Sequence, residues 1–196
     1  MSRGLGDVYK RQIEDVAFCS QKFGSEDSYR TWGGVYKEQS VNFTSLSVSW
    51  NFFKVMGIPL IGGRMPTESD ERGNNYSYVF NRQMRDKWNM EPNDIMRIPW
   101  LEEESADGSV IGFIDDVKFT SLRQSVSELG FVINEPRLML YSFIRVKAGS
   151  HIMGVVDHIR KTVAHLDPTY PCEVEFYDEI FDHLYPVSYT HLRAHE

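Results

Sequence analysis

Apolar and polar positions alternate imperfectly along Ile13 to Ser20 (IEDVAFCS) and more cleanly along Val41 to Val48 (VNFTSLSV), where Val41, Phe43, Leu46 and Val48 carry the pattern. Both read as strands, the second with a bulge or slip near Thr44, and the two are expected to pair with each other. Between them Gly24 to Gly34 reads as a polar loop containing Trp32. The period then changes. Ser49 to Met56 (SWNFFKVM) puts Phe52, Phe53 and Met56 on one helical face, with Ser49 as the expected N-cap and Gly57 as the stop. Ile58 to Ile61 is extended, Gly62, Gly63 and Pro66 break it, and Thr67 to Asn75 (TESDERGNN) reads as a solvated loop.

Tyr76 to Phe80 is apolar and β-prone, and Asn81 is placed to cap a helix running to Asn89, with Met84 and Trp88 one turn apart. Ile95 to Trp100 and Ser109 to Ile114 read as strands around an acidic loop, and Leu138 to Val146 is the most hydrophobic strand. The clearest helix is His151 to Leu166, in which Ile152, Val155, Val156, Ile159, Val163 and Leu166 recur at three- and four-residue spacing until Pro168 ends it. Glu173 to Phe176 is expected as a strand and Tyr177 to Tyr185 as a helix. The elements amount to an α+β chain whose outer thirds flank a β-rich insertion, from about Ile58 to Leu129.

The two ends qualify how much of the chain belongs to this pattern. Codons GAT GTG TAT AAG AGA CAG would encode Asp7 to Gln12 (DVYKRQ); their reverse complement, read out of frame, gives VSYTH, which is Val187 to His191. The string resembles a transposase adapter used in sequencing libraries, so residues 1–12 and 186–196 are expected to be translated adapter and are set aside from fold and function. About 173 residues remain, enough for one domain or two small subdomains sharing a core. The net charge of −7 becomes about −9 without the flanks, because Arg3, Lys10 and Arg11 outweigh Asp7 while Arg193 balances Glu196. An acidic segment without a basic run is poorly suited to phosphate, so neither nucleic acid nor a polybasic membrane anchor is expected. No apolar run approaches the roughly 20 residues of a spanning helix.

Candidate chemistry is sparse. Cys19 and Cys172 lack metal-cage spacing; a long-range disulfide and two free thiols are both open, with buried thiols the simpler reading. His158 and His165 lie two helical turns, roughly 10 Å, apart, too far to share one metal, and His151 and His183 add no ligand motif. Glu102, Glu103, Glu104 and Asp107 lack the spacing of a calcium loop and read as a solvated charge run. Asp115 and Asp116 could do acid-base work only in a pocket that splits their pKa values. No nucleophile elbow, phosphate loop or dinucleotide fingerprint is present, and Gly62–Gly63 suits a tight turn. No catalytic, cofactor-binding or metal-binding residue is assigned.

Several strings, taken in order, resemble one family: the MacB-like periplasmic core domain of ABC-transporter permeases of the MacB, FtsX and LolC type. They are Trp50 to Arg64 (WNFFKVMGIPLIGGR), then Asp70, then Val79-Phe80-Asn81 with Lys87-Trp88, then Val110 to Arg123 (VIGFIDDVKFTSLR), and finally Ile144 to Tyr185, including Asp167-Pro168 and FYDEIFDHLY. The resemblance implies a two-part α+β structure: a Porter-like subdomain from residues 13–57 and 130–185, and a Sabre-like insertion at 58–129. It implies no enzymatic activity and no cofactor. It further implies that ATP is hydrolysed by a separate cytoplasmic ABC ATPase, and that this domain faces the periplasm from the bacterial inner membrane. There it would transmit the conformational work to efflux of peptide, drug or lipoprotein type, or to a partner. Implied partners are a second permease of a dimer, that ATPase and a periplasmic adaptor protein, with membrane attachment through flanking helices outside this chain. Trp32, Trp100, Leu101 and Phe119, expected in exposed loops, are the candidate partner contacts, because exposed aromatic and apolar side chains often anchor interfaces. Two other readings remain: a soluble or tethered periplasmic sensor of the same fold, and a small hydrolase using Asp115, Asp116 and a histidine.

Overall fold

The computed structural model describes residues 8–22, 30–73, 75–98, 107–116, 128–133 and 139–176. In chain order the elements are β1 (Ile13–Cys19), β2 (Arg30–Tyr36), β3 (Gln39–Ser47), α1 (Phe52–Met56), β4 (Leu60–Gly63), α2 (Glu68–Arg72), β5 (Tyr76–Asn81), α3 (Arg82–Trp88), β6 (Ile95–Arg97), β7 (Asp107–Ile114), β8 (Leu129–Ile133), β9 (Tyr141–Val146) and α4 (Ile152–Leu166). The chain is α+β, as expected.

The strands form a seven-stranded sheet in the order β4-β7-β5-β8-β3-β2-β6, and a two-stranded ribbon of β1 and β9. Because β6 pairs with β7 as well as β2, the sheet closes on itself as a small barrel, with β4 attached outside the ring. One edge of β7 serves two strands: Asp107 to Ser109 pair with β6, and Gly112 to Ile114 pair with β4. β5 runs parallel to β7 and antiparallel to β8, while β3 and β8 are parallel.

Both faces of the central strands are buried. Tyr78 and Phe80 of β5 point inward to join Tyr36, Val41, Phe43, Met96, Val110 and Val132 in the barrel core. Val79 points outward with Leu46, Phe131, Ile133, Ile111 and Ile114, where α1 contributes Phe52, Phe53 and Val55, and the ribbon contributes Ala17 and Cys19. The barrel core is aromatic, with Phe43 edge-on to Phe80 at 5.1 Å and Tyr78 stacked on Phe80 at 5.7 Å. Rings at these separations add specificity beyond their apolar area.

Several expectations need correction. β1 does not pair along the second strand; it pairs with β9, from Ile13↔Val146 to Cys19↔Tyr141, and touches the β3 segment only at its end. β3 shows no slip near Thr44, for its register with β2 runs unbroken from Arg30↔Ser45 to Tyr36↔Gln39. The part of the expected loop that holds Trp32, residues 30–34, belongs to β2, and residues 24–29 of it lie outside the described residues. Gly33 and Gly34 argue for a loop by propensity, but the Met96 side chain lies 3.0 Å from where a Cβ of Gly34 would stand, so close barrel packing calls for glycine. β8 has no signature in the sequence: buried on both faces, Leu129–Ile133 has no alternation to read. Thr67 to Asn75 contains α2, whose capping box of Thr67 and Asp70 compensates for its brevity.

The helix after β3 has Asn51 rather than Ser49 at its N-cap position, with no capping bond from the Asn51 side chain, and stops at Gly57 in the left-handed conformation, φ +70°. Glu173 to Phe176 lies among the described residues without forming a strand. The expected helix at Tyr177 to Tyr185 lies outside them. Strands from 58–129 are hydrogen-bonded into the same sheet as β2, β3 and β8, and the 129/130 position falls within β8.

Candidate functional site

Asp115, Asp116 and His151, among the residues singled out for chemistry, are occupied in holding the fold. Asp115 receives both prongs of Arg82, Nε at 2.9 Å and an Nη at 3.0 Å, and that guanidinium holds its carboxyl down at about 2. A general acid needs a shift in the other direction. Asp116 accepts from the Asn81 amide at 2.9 Å and from Gln83 N at 3.1 Å, so the pair is divided between two structural duties. His151 caps α4, its Nδ1 accepting from Gly154 N at 3.0 Å. His158 and His165 sit farther along α4, and His183 lies outside the described residues. Among the described residues no group of three or more His, Cys, Asp or Glu side chains is placed to hold a metal. Asp107 lies opposite Arg97 at 3.4 Å; Glu102, Glu103 and Glu104 lie outside the described residues. Cys19 and Cys172 are free, and burial pushes the Cys19 thiol up to about 11.

The strings that carried the resemblance come together as joints. Arg64 donates two bonds of 2.7 Å to Asp70. Asp70 also accepts from Thr67 N and from the Thr67 hydroxyl, which fixes the entry into α2. The Arg64 guanidinium, ahead of these bonds, holds its carboxyl well below the usual carboxylate range. Gly63, with φ +76°, lies against the bulged Ile111, where a Cβ would stand 2.3 Å from the Ile111 carbonyl oxygen. Asn81 is fully buried; its Oδ1 accepts from Met84 N and Leu129 N, both at 3.1 Å, while its amide reaches Asp116. One side chain thus caps α3 and ties β5, β8 and the end of β7 together.

Of the four candidate contact residues, Trp32 is half-buried on β2, edge-on to Tyr76 at 6.0 Å and packed on the barrel core. Trp100, Leu101 and Phe119 fall outside the described residues. Other apolar side chains are exposed: Leu140 at 65%, with Phe18 and Tyr141, at one end of the ribbon, and Met153 at 64% and Leu166 at 79% on α4. The stripe of α4 predicts an apolar face, but only Val155 and Val156 are buried on it. Among the described residues no helix is long and apolar enough to cross a membrane.

A fold of this kind can be compared with known proteins. No family model matches the sequence, and no curated protein matches it. Solved structures do. The periplasmic region of MacB from Actinobacillus actinomycetemcomitans superposes with a TM-score of 0.58 at 15% identity, covering 84% of this chain and 73% of that one. The extracellular domain of the noncanonic ABC-type transporter YknZ from Gram-positive bacteria gives 0.57 at 11% identity, over 87% of this chain and 86% of that one. A domain of a candidate permease protein from Porphyromonas gingivalis gives 0.55 at 12% identity, over 82% and 71%. Identities this low speak for fold alone, and on that ground the chain has the α+β fold of MacB-like periplasmic domains.

Proposed function

We propose that this chain is the extracytoplasmic domain of an ABC-transporter permease, transmitting ATP-driven conformational change to a periplasmic substrate or partner, in efflux of peptide, drug or lipoprotein type. The observation that carries the reading is the fold shared with MacB and YknZ domains over more than four-fifths of the chain. Its polar residues support it: Arg64, Asp70, Asn81 and Asp116 hold elements to one another, as a domain that works by rigid-body movement requires.

In this reading the domain is not an enzyme. It faces the periplasm from the bacterial inner membrane, held by helices that flank it. It works with a second permease, a cytoplasmic ABC ATPase and a periplasmic adaptor protein. Residues 13–57 with 130–185 form the Porter-like part and 58–129 the Sabre-like part, and Trp32, Trp100, Leu101 and Phe119 contact a partner.

The test is to recover the full-length gene and express it in a bacterial host. Apolar segments of about 20 residues on both sides, protease access to this domain from the periplasmic side only, and substrate export that stops when the partner ATPase is inactivated are the expected results. A gene encoding one soluble or singly tethered domain would overturn the reading in favour of a periplasmic sensor.

A further inference from the structure

The ribbon and the barrel meet along one line. β2 covers the edge of β3 as far as Ser45, and the end of β1 takes over beyond it, at Ser47 to Ser49. There Ser20 N donates to the Ser47 carbonyl at 2.8 Å, and Ser47 N donates to the Ser20 hydroxyl at 3.0 Å. Two residues on, Ser49 N donates to the Phe18 carbonyl at 3.0 Å and Phe18 N donates to the Ser49 hydroxyl at 2.9 Å. The Ser49 hydroxyl passes its own hydrogen to Asn51 Oδ1 at 2.8 Å. The Asn51 amide then donates to the Val16 carbonyl and to Asp15 Oδ1, both at 2.9 Å, beside the irregularity that β1 shows between Ile13 and Asp15.

Ser20, Ser47, Ser49 and Asn51 are all buried. An apolar contact can slide, because one methyl group serves as well as the next. Buried hydrogen-bonding groups cannot, since each leaves an unsatisfied donor or acceptor when its partner moves. The apolar core reinforces this line from below, with Ala17 and Cys19 of the ribbon packed among Leu46, Val48, Phe131 and Ile133.

We propose that this serine–asparagine clasp locks the β1–β9 ribbon to the barrel, so that the two turn as one lever with no hinge between Ser20 and Ser47. The mechanical consequence rests on the transporter reading: displacement entering through β1 or β9 reaches the barrel undiminished.

Hydrogen–deuterium exchange on the whole chain tests the clasp. In the native protein the amides of Phe18, Ser20, Ser47 and Ser49 exchange as slowly as those of Val79 and Phe131 in the barrel. In Asn51→Ala the β1 and β9 amides exchange at least about tenfold faster, a change of roughly 1.4 kcal/mol in local opening, while Val79 and Phe131 keep their protection. Ser49→Ala, which removes one oxygen and no bulk, gives the same pattern should Asn51→Ala fail to fold. Ribbon amides that already exchange far faster than the barrel in the native protein, or variants that loosen ribbon and barrel equally or not at all, would overturn the clasp. Membrane topology of the full-length protein decides the transporter reading separately, so failure of either is recognisable.

Discussion

Arg64 and Asp70 face each other in a two-pronged pair, with two bonds of 2.7 Å between a guanidinium that is half exposed and a carboxylate whose side chain is 9% exposed. The six-residue separation brings the end of β4 to the start of α2, and the carboxylate also accepts from Thr67. The pair works as a brace for the turn after Gly63.

That brace makes stability depend on pH in a definite sense. The folded pKa of Asp70 lies below its unfolded value of about 3.9, so its contribution is fully present above that value and is lost as pH falls through the folded pKa. Asp70→Asn should cost about 1–2 kcal/mol at pH 7, with the solvent-exposed side of Arg64 keeping the figure modest. Urea melts at pH 7 and pH 3 check this: the gap between native protein and variant should narrow at the lower pH, and an unchanged gap would count against the brace.

Asn81 carries a heavier load. Its Oδ1 serves Met84 N and Leu129 N, and its amide serves Asp116. Asn81→Ala should cost about 2–4 kcal/mol, since it removes a cap and strands buried partners. Asn81→Asp keeps both acceptor bonds but turns a donor toward Asp116 into a second carboxylate, so it should be destabilised at pH 7 and recover part of the loss as pH is lowered toward 4. Thermal melts across that range decide it; a variant insensitive to pH would refute the Asp116 contact.

Gly63→Ala combines a positive φ with a collision on the Ile111 carbonyl, and should lose about 2 kcal/mol or more. Gly130→Ala has no unusual φ but places its methyl 2.6 Å from the Phe43 and Phe80 rings. It should instead disturb the aromatic core, visible as a change in the near-ultraviolet circular dichroism. A Gly63→Ala protein as stable as the native one would remove the argument for the bulge at Ile111.

The two thiols should behave differently. Cys19 is fully buried with its thiol pushed up to about 11, while Cys172 is partly accessible. Because the thiolate is the reactive form, a maleimide at pH 8 should add one label per native chain, at Cys172, and two after denaturation. Mass spectrometry of the labelled peptides gives the answer, and rapid native labelling of Cys19 would contradict the packing of β1.

Sequence pattern is most informative where an element buries one face and exposes the other. Asn81 announced its helix, Gly57 its stop, and the stripe of α4 its length, because each is a local arrangement. β8 and β2 were not legible for opposite reasons: Leu129–Ile133 is buried on both sides and so shows no period, while in β2 Gly34 packs closely against Met96, more than sixty residues away. The partner of β1 is likewise a matter of distant chain, since β9 is separated from it by the whole barrel. The joints Arg64–Asp70 and Asn81–Asp116 were present in the family-like strings, but pairing them needs the fold.

β6 has only three residues, yet it sits between two longer strands. Val35 pairs with Arg97, and Ile95, Met96 and Arg97 pair with β7, so this short strand alone joins the free sides of two longer ones. Unpaired strand edges are templates for other chains, and closing a sheet removes them. Among the described strands, the closure between β2 and the first half of β7 therefore rests on Ile95–Arg97, and Met96→Pro would open both of those edges together.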